Sequence, residues 1–360
     1  MTNLLTFSFI IPLAVSFIIS LIFTPVVIKL YKKLGIMDDP KNQHHPKVLH
    51  KYPVPRGGGI PILISLILGC VLFLPLDKPV IAIIIAGLVI VFVGSLDDIF
   101  DINPYFRLLT NLIAAGIIVG AGVGISYITN PLGGIIHLDT IKIPLELLGK
   151  TRNIVVIADI FAVIWIVWTM NMVNWSKGLD GQMPGVVSIS ALGVGILSLR
   201  FLPDTSQVPV EVISAITAGA FLGFLPFNFF PQKIMPGYGG GALAGFLLAV
   251  LSIMSSSKVA TMMLVLGVPF MDAIYTIIRR LAAGKSPVWG DRGHLHHRLM
   301  DLGWGKRRIA LFYWLISAIL GAVALTLDSR GKLFATIMIF LIVGGGLLWI
   351  TNISSKSSKQ

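Results

Sequence analysis

Two carboxylates stand side by side at Asp97 and Asp98, in GSLDDIFDINPYFRLL (94–109), just past an apolar run. Adjacent carboxylates repel, so the pair calls for a cation or a shared proton. A divalent cation held near Asp97 and Asp98 could bridge phosphate oxygens, as magnesium does. Asp101 follows within one turn and reads as a helix-start residue, while Arg107 could meet an anion. The same residues also suit a solvated helix end with an acidic cap, and spacing alone does not separate the two.

Four other stretches carry chemistry-bearing residues. In NMVNWSKGLDG (171–181), Asn171 and Asn174 share a helix face and a Gly-flanked Asp180 follows. Amides ending an apolar run must find partners in a partly dry site, although a capped turn between helices would use the same residues. In NFFPQKIMPGYGGGALAG (228–245), a Gly-rich turn feeding a helix offers either backbone N–H groups to an anion or a surface for close helix packing. RRLAAGKSPVWGDRGHLHHRLMDLGW (279–304) joins Arg292 and Arg298 to His294, His296 and His297. His-x-His-His lacks the i, i+4 spacing of a helical zinc site, so a diphosphate is the better match for a His–Arg cluster, on a loop expected to be solvated. DDPKNQHHPKVLHKYPVPRGGGI (38–60) is basic and ends with Arg56 at the entrance to an apolar run.

The elements that must position these residues are membrane helices. Of 360 residues, 55% are apolar and 12% charged, and mean hydropathy is +0.89. A disordered chain, a disulfide scaffold and an ordinary soluble enzyme are excluded. Segments near 7–28, 59–76, 79–95, 106–125, 153–171, 183–200, 209–226, 240–254, 259–277, 309–327 and 333–351 are each apolar enough to predict a span. This makes an all-α polytopic membrane protein of about eleven transmembrane helices. The first run lacks a small-residue cleavage site and is read as a retained span. Alternate loops hold 20 of the 28 Lys and Arg, so the positive-inside rule predicts the N-terminus out and the C-terminus in. The acids named above, and six of seven histidines, then fall on the cytoplasmic face. The net charge of +12 is explained by these loops and by phosphate ligands rather than by nucleic acid. A short outer β-hairpin is expected near 133–144, a single integral domain over 1–351, and a polar tail over 352–360.

In order and spacing, PVPRGGG, LDDIFDINP, NMVNWSKGLDG and DRGHLHHRL resemble the polyprenyl-phosphate N-acetylhexosamine-1-phosphate transferase superfamily (glycosyltransferase family 4 type). Asp-Arg-x-His-x-His-His is nearer the undecaprenyl-phosphate N-acetylglucosamine-1-phosphate transferases than the phospho-N-acetylmuramoyl-pentapeptide translocases, which usually carry three consecutive histidines. The resemblance implies a bacterial-type inner-membrane enzyme. It would transfer an N-acetylhexosamine-1-phosphate from a UDP-amino-sugar to polyprenyl phosphate, releasing UMP and initiating cell-envelope glycan synthesis. Asp97 and Asp98 would serve the nucleophile and a Mg2+ ion, with Asn174 as a magnesium contact. Asp180, Gly178 and Leu179 would meet the uridine. Arg292, His294, His296, His297 and Arg298 would hold the diphosphate and sugar, with Arg56, Arg107 and Asn171 as further substrate contacts. A homodimer is compatible with the resemblance.

Two positions depart from the pattern. Asn-x-x-Asn-x-x-Asp-Gly-x-Asp-Gly reads here with Lys177 in place of its first Asp. Met-Gly-Asp-x-Gly-Ser reads Met235-Pro236-Gly237-Tyr238-Gly239-Gly240, and its Asp, a magnesium ligand by resemblance, is taken to be replaced by Tyr238. Two lost acids and a gained lysine make the locality more positive and less hospitable to a +2 ion. The alternative is a catalytically degenerate member that binds polyprenyl phosphate, a nucleotide sugar or a partner enzyme. A transporter is disfavoured because neither repeats nor mid-membrane charge pairs stand out.

Overall fold

The computed structural model describes residues 6–41, 50–130, 133–147, 150–201, 207–255, 258–286 and 293–357. Each of the eleven apolar segments coincides with helix. The helices are α1 (Ile11–Lys33), α2 (Gly59–Phe73), α3 (Lys78–Phe100), α4 (Pro104–Gly120), α5 (Val156–Trp175), α6 (Gln182–Ser198) and α7 (Val208–Asn228). They continue with α8 (Gly237–Met254), α9 (Lys258–Val265), α10 (Gly267–Ala282), α11 (Leu295–Asp301), α12 (Lys306–Thr326) and α13 (Ser329–Ser357).

Length separates these helices. Among the described residues, seven (α1, α3, α5, α7, α8, α12 and α13) are long and apolar enough to cross a membrane. The 15, 17 and 17 residues of α2, α4 and α6 rise only about 22–26 Å, short of a hydrocarbon core of about 30 Å. The span expected at 259–277 is broken, with α9 and α10 meeting at 84°. Pro269 explains this locally, since it has no N–H for the carbonyl of residue 265, and Gly267 beside it adds no helix preference. The protein is thus all-α and polytopic, and eleven full spans would require the three short helices and the bent pair to cross as well.

The core is built around α8, 89% of whose apolar window is buried, flanked chiefly by α5, α3 and α2. Its glycines permit this. A Cβ on Gly94 of α3 would strike the Gly239 backbone, one on Gly59 of α2 would meet the Gly240 backbone, and one on Gly245 would strike the α5 backbone at Thr169–Met170. Small residues that let helix backbones touch are the membrane solution to packing without a hydrophobic drive. On the outside, large apolar side chains such as Phe92 (67% exposed) and Ile342 (66%) face outward. This is the surface that lipid covers.

Local signals set the ends that matter for the site. Asp77 caps α3, accepting from the Val80 N–H at 3.0 Å, and Pro79 lies in the first turn. At the other end Asp101 takes a left-handed conformation (φ 47°) and ends α3. Asp101 is therefore a C-cap rather than the expected helix start; Asn103 is the residue that caps α4, on Tyr105 N–H. This leaves Asp97 and Asp98 in the last turn of α3.

At the opposite end of α5 the chain forms hairpins, with different pairing from the one expected near 133–144. Strand β3 (Tyr127–Thr129) pairs with β4 (Ile135–His137), and β5 (Lys142–Leu147) pairs with β6 (Lys150–Val155), so residues 133–144 contribute to two hairpins. Gly133 and Gly134 both take positive φ, as the first turn requires. Earlier in the chain, β1 (Met37–Asp38) and β2 (Val54–Pro55) form a two-residue ladder beneath Arg56.

Candidate functional site at the charged end of the bundle

The last turn of α3, the end of α5 and the start of α8 converge, and each acid of the Asp97–Asp98 pair finds its own cation within the chain. Asp97 is 4% exposed and accepts from Arg107 Nε at 2.6 Å and from Ile102 N–H at 3.1 Å. The Arg107 guanidinium reaches Asp101 as well, at 2.9 Å. Arg107 is therefore engaged with Asp97 and Asp101 within the chain. Asp98 accepts from the Tyr238 N–H at 3.3 Å and has Lys177 as its principal positive neighbour. The N-terminus of α8, expected to offer free N–H groups to a phosphate, thus points Tyr238 N–H at Asp98. Its glycines serve close packing.

Lys177 and Tyr238 meet here. The ammonium of Lys177 donates to the carbonyl of Gly237 at 2.9 Å and lies 5.8 Å from the centre of the Tyr238 ring. Arg107 lies over the same ring at 5.7 Å, so the aromatic face is flanked by two cations. The phenol itself turns away from the acids. It donates toward Asn111 Oδ1 at 2.7 Å, with the Arg107 carbonyl at 2.9 Å, and Tyr238 is 2% exposed. This corrects the reading of Tyr238 as the replaced acid. The third place of Met235-Pro236-Gly237-Tyr238 is Gly237, which takes φ +67°, and a Cβ there would strike Asp98 and the Arg56 carbonyl.

Arg56 pairs with buried Asp38 at 2.7 Å and lies within electrostatic reach of Lys177 and Asp98. Asn174 Oδ1 is buried without a hydrogen-bond partner, pressed against Gly241, where a Cβ would also meet the Lys177 stem at 3.1 Å. Asn171 does not converge on this point; its amide donates to Val167 O at 2.8 Å on its own helix.

Asp180 forms a neighbouring cluster. It is 1% exposed, accepts from Lys306 Nζ at 2.9 Å and Gln232 N–H at 3.3 Å, and so ties the turn after α5 to α12. Leu179 is equally buried, whereas Gly178 is exposed beside His296, so of the three expected uridine contacts Gly178 is the open one. The cation partner, Lys306, lies 126 residues away and had no local signal.

The histidines are not on a solvated loop. His294, His296 and His297 are 6%, 2% and 3% exposed. Asp272 of α10, one residue that the motifs left unassigned, explains the burial. Its carboxylate holds His294 Nδ1 at 3.0 Å and Leu295 N–H at 2.8 Å, with Thr276 one turn on beside the same imidazole. Its signal was an acid and a Thr at i, i+4 within apolar sequence. His296 sits against Gly178, with its ring 4.3 Å from that of His297. Burial first, then His297 and His294, hold the His296 imidazole well below its ordinary pKa and hence neutral. Arg298 donates to the Gly293 carbonyl at 3.0 Å and lies 5.1 Å from the centre of the Tyr275 ring. Arg292 lies outside the described residues.

The chemistry is that of a lipid-facing bundle whose charged end carries alternating acids and bases. Residues 80–256, which include Asp97, Asp98, Asn174, Asp180 and Tyr238, match the model of glycosyl transferase family 4. The decaprenyl-phosphate N-acetylglucosaminephosphotransferase of Mycobacterium tuberculosis is 30% identical over 365 residues, covering 92% of this chain and 85% of the relative. The chain belongs to this family. The family's Mycobacterium leprae member of the same name is 29% identical, covering 83% of this chain and 80% of the relative. The more distant phospho-N-acetylmuramoyl-pentapeptide-transferase of Corynebacterium kroppenstedtii is 26% identical over 87% of this chain and 95% of the relative. Membership makes the protein a multi-pass membrane glycosyl-1-phosphate transferase by class.

A magnesium ion fits these residues poorly. Among the described residues no group of three or more His, Cys, Asp or Glu side chains could hold a metal. Asp98 and the bare Asn174 oxygen are suitable donors, but the ammonium of Lys177, bonded to the Gly237 carbonyl, is already the strongest positive influence on the same carboxylate.

Proposed function

We propose that this family member transfers an N-acetylhexosamine-1-phosphate from a UDP-amino-sugar to a polyprenyl phosphate, yielding a lipid-linked sugar diphosphate and UMP. The carrying observation is the placement of fixed charges (Asp38–Arg56, Asp97–Arg107 and Asp98–Lys177) at one end of an apolar, lipid-facing bundle. An amphipathic phosphate would lie there with its chain in lipid and its head among these charges. The names of the mycobacterial relatives support the acceptor class and the amino sugar. The charge asymmetry of the loops supports a cytoplasmic site in an inner membrane, with the N-terminus outside and eleven crossings.

An oxygen of the lipid phosphate attacks the β-phosphorus. The bond from that phosphorus to the bridging oxygen breaks, and the electron pair leaves on UMP. No net proton is needed, because the nucleophile is already an anion. Such a step asks for positioning and charge neutralisation more than covalent help. Asp98, fixed by the Tyr238 N–H, orients the cations around the nucleophile. Arg56 faces the diphosphate, and the neutral, buried His296 with His294 and His297 shapes the sugar side. Asp97–Arg107 and Asp180–Lys306 act as positioning pairs, holding α3 to α4 and the turn after α5 to α12.

A second reading is a binding-only member. The lack of a three-acid metal group among the described residues favours it. Purified protein in nanodiscs, undecaprenyl phosphate and a panel of UDP-sugars separate the two. UMP release that depends on both substrates supports transfer; donor binding without release supports the second reading; neither refutes both.

A further inference from the structure

We infer that the Lys177 ammonium is the fixed cation of this site, standing where a divalent metal would otherwise neutralise Asp98 and the incoming diphosphate. The inference rests on the transferase reading above and assigns its source of positive charge. Three kinds of oxygen lie around Lys177, one bonded to its ammonium and two in its neighbourhood. The Gly237 carbonyl accepts from it at 2.9 Å, the Asp98 carboxylate is its principal negative neighbour, and the buried Asn174 Oδ1, without a partner, lies beside its stem across Gly241. A carbonyl, a carboxylate and an amide oxygen are donors that a hard cation also takes. Here the chain brings its own cation to them.

The charge accounting agrees. Arg107 is engaged by Asp97 and Asp101, and Arg56 is ion-paired with Asp38, so Lys177 is the first positive neighbour of Asp98 and Arg56 the second. A second, divalent charge at the same carboxylate would face the ammonium at close range in a partly dry site, where repulsion is weakly screened. Gly237 completes the fit, since its own carbonyl receives the ammonium and a side chain at 237 would strike Asp98. One ammonium hydrogen is used by Gly237. The others can turn to the β-phosphoryl oxygens as the bond to the UMP oxygen lengthens, so charge is met by a lysine that never leaves the protein.

The test uses the intact protein in nanodiscs, Mn2+ as a paramagnetic probe, and UMP release. Wild type is expected to leave the free Mn2+ signal undiminished and to release UMP in excess EDTA at a rate within about twofold of that in Mg2+. Lys177→Asp, which turns the cation into a ligand, is expected to take up Mn2+. Stoichiometric Mn2+ uptake by wild type that Asp98→Asn abolishes would overturn the inference. So would an EDTA loss of about tenfold or more, on the order of 1.4 kcal/mol of barrier, that Mg2+ restores. Should no donor give UMP under any condition, the transferase reading fails, and Mn2+ uptake by wild type alone decides the cation. Should Lys177→Asp not fold, Lys177→Gln replaces it. A large loss of UMP release that Mg2+ does not rescue, with thermal stability kept, supports the ammonium, and unchanged release overturns it.

Discussion

Replacing Arg107 with Met isolates what holds the last turn of α3. The guanidinium touches two acids of different exposure: Asp97, whose side chain is 6% exposed, and Asp101, whose side chain is 84% exposed. The second contact is worth about 0–1 kcal/mol, as surface ion pairs are. The first is a buried pair, and removing one partner leaves a carboxylate with the Ile102 N–H as its remaining local donor. Breaking such a pair destabilises by about 3–5 kcal/mol. At roughly 2 °C per kcal/mol for a large chain, Arg107→Met should melt roughly 6–10 °C lower. Adding Asp97→Asn removes the stranded charge and should restore most of the difference, a coupling that a double-mutant cycle reads directly. Thermal unfolding in nanodiscs and donor affinity are measured on all four proteins. If Arg107→Met keeps its melting temperature but loses donor affinity, the reasoning is wrong and Arg107 meets the substrate, as its place in the sequence suggested.

Other outcomes follow from the same geometry. Tyr238→Phe strands Asn111 Oδ1 in the interior and should lower stability by about 1–3 kcal/mol while sparing UMP release; lost release at unchanged stability would put the phenol at the reacting atoms. Asp98→Asn should reduce UMP release far more than Asp101→Asn, because Asp98 faces Lys177 while Asp101 is an exposed cap; equal small losses would reduce the pair to a helix end. Because His296 is held neutral in the folded protein and would titrate near 6.5 when unfolded, the unfolded chain binds more protons below that pH. Its contribution is therefore complete above about pH 6.5 and lost as pH falls, so melting temperature should drop on acidification, less steeply in His296→Gln; identical slopes would show that His296 is solvated.

What the sequence made legible was the apolar periodicity of whole helices and the residues gathered at one end. Hydropathy located the segments because burial in lipid and burial in protein both select apolar side chains. For the same reason it did not distinguish α2, α4 and α6 from full spans, and the break before Pro269 was written in one residue that the window averaged away. The need of Asp97–Asp98 for cations was readable from like-charge repulsion, but their suppliers were not. Arg107 is ten residues on, and Lys177 arrives through the packing of α5 on α8. Asp272 and Lys306 were hidden in the same way, because each bonds across 22 or 126 residues to a group whose own motif looked complete. Tyr238 was misplaced because its side chain and backbone serve opposite sides, the N–H toward Asp98 and the phenol toward α4.

The glycine contacts of α8 also constrain how the protein moves. Backbone pressed on backbone at Gly94–Gly239 and Gly59–Gly240 leaves no side chain whose rotamer could yield between α8 and its neighbours α2 and α3. The least buried of the long helices are those at the rim, α1, α12 and α13, with 28%, 33% and 17% of their apolar windows buried. Lys306, at the start of α12, is clamped to Asp180 beside the site. A rim helix that rocks to let a long isoprenoid tail slip out of the bilayer would pull on that clamp, so arrival of the lipid would be felt at the turn after α5 before any phosphate reached Asp98.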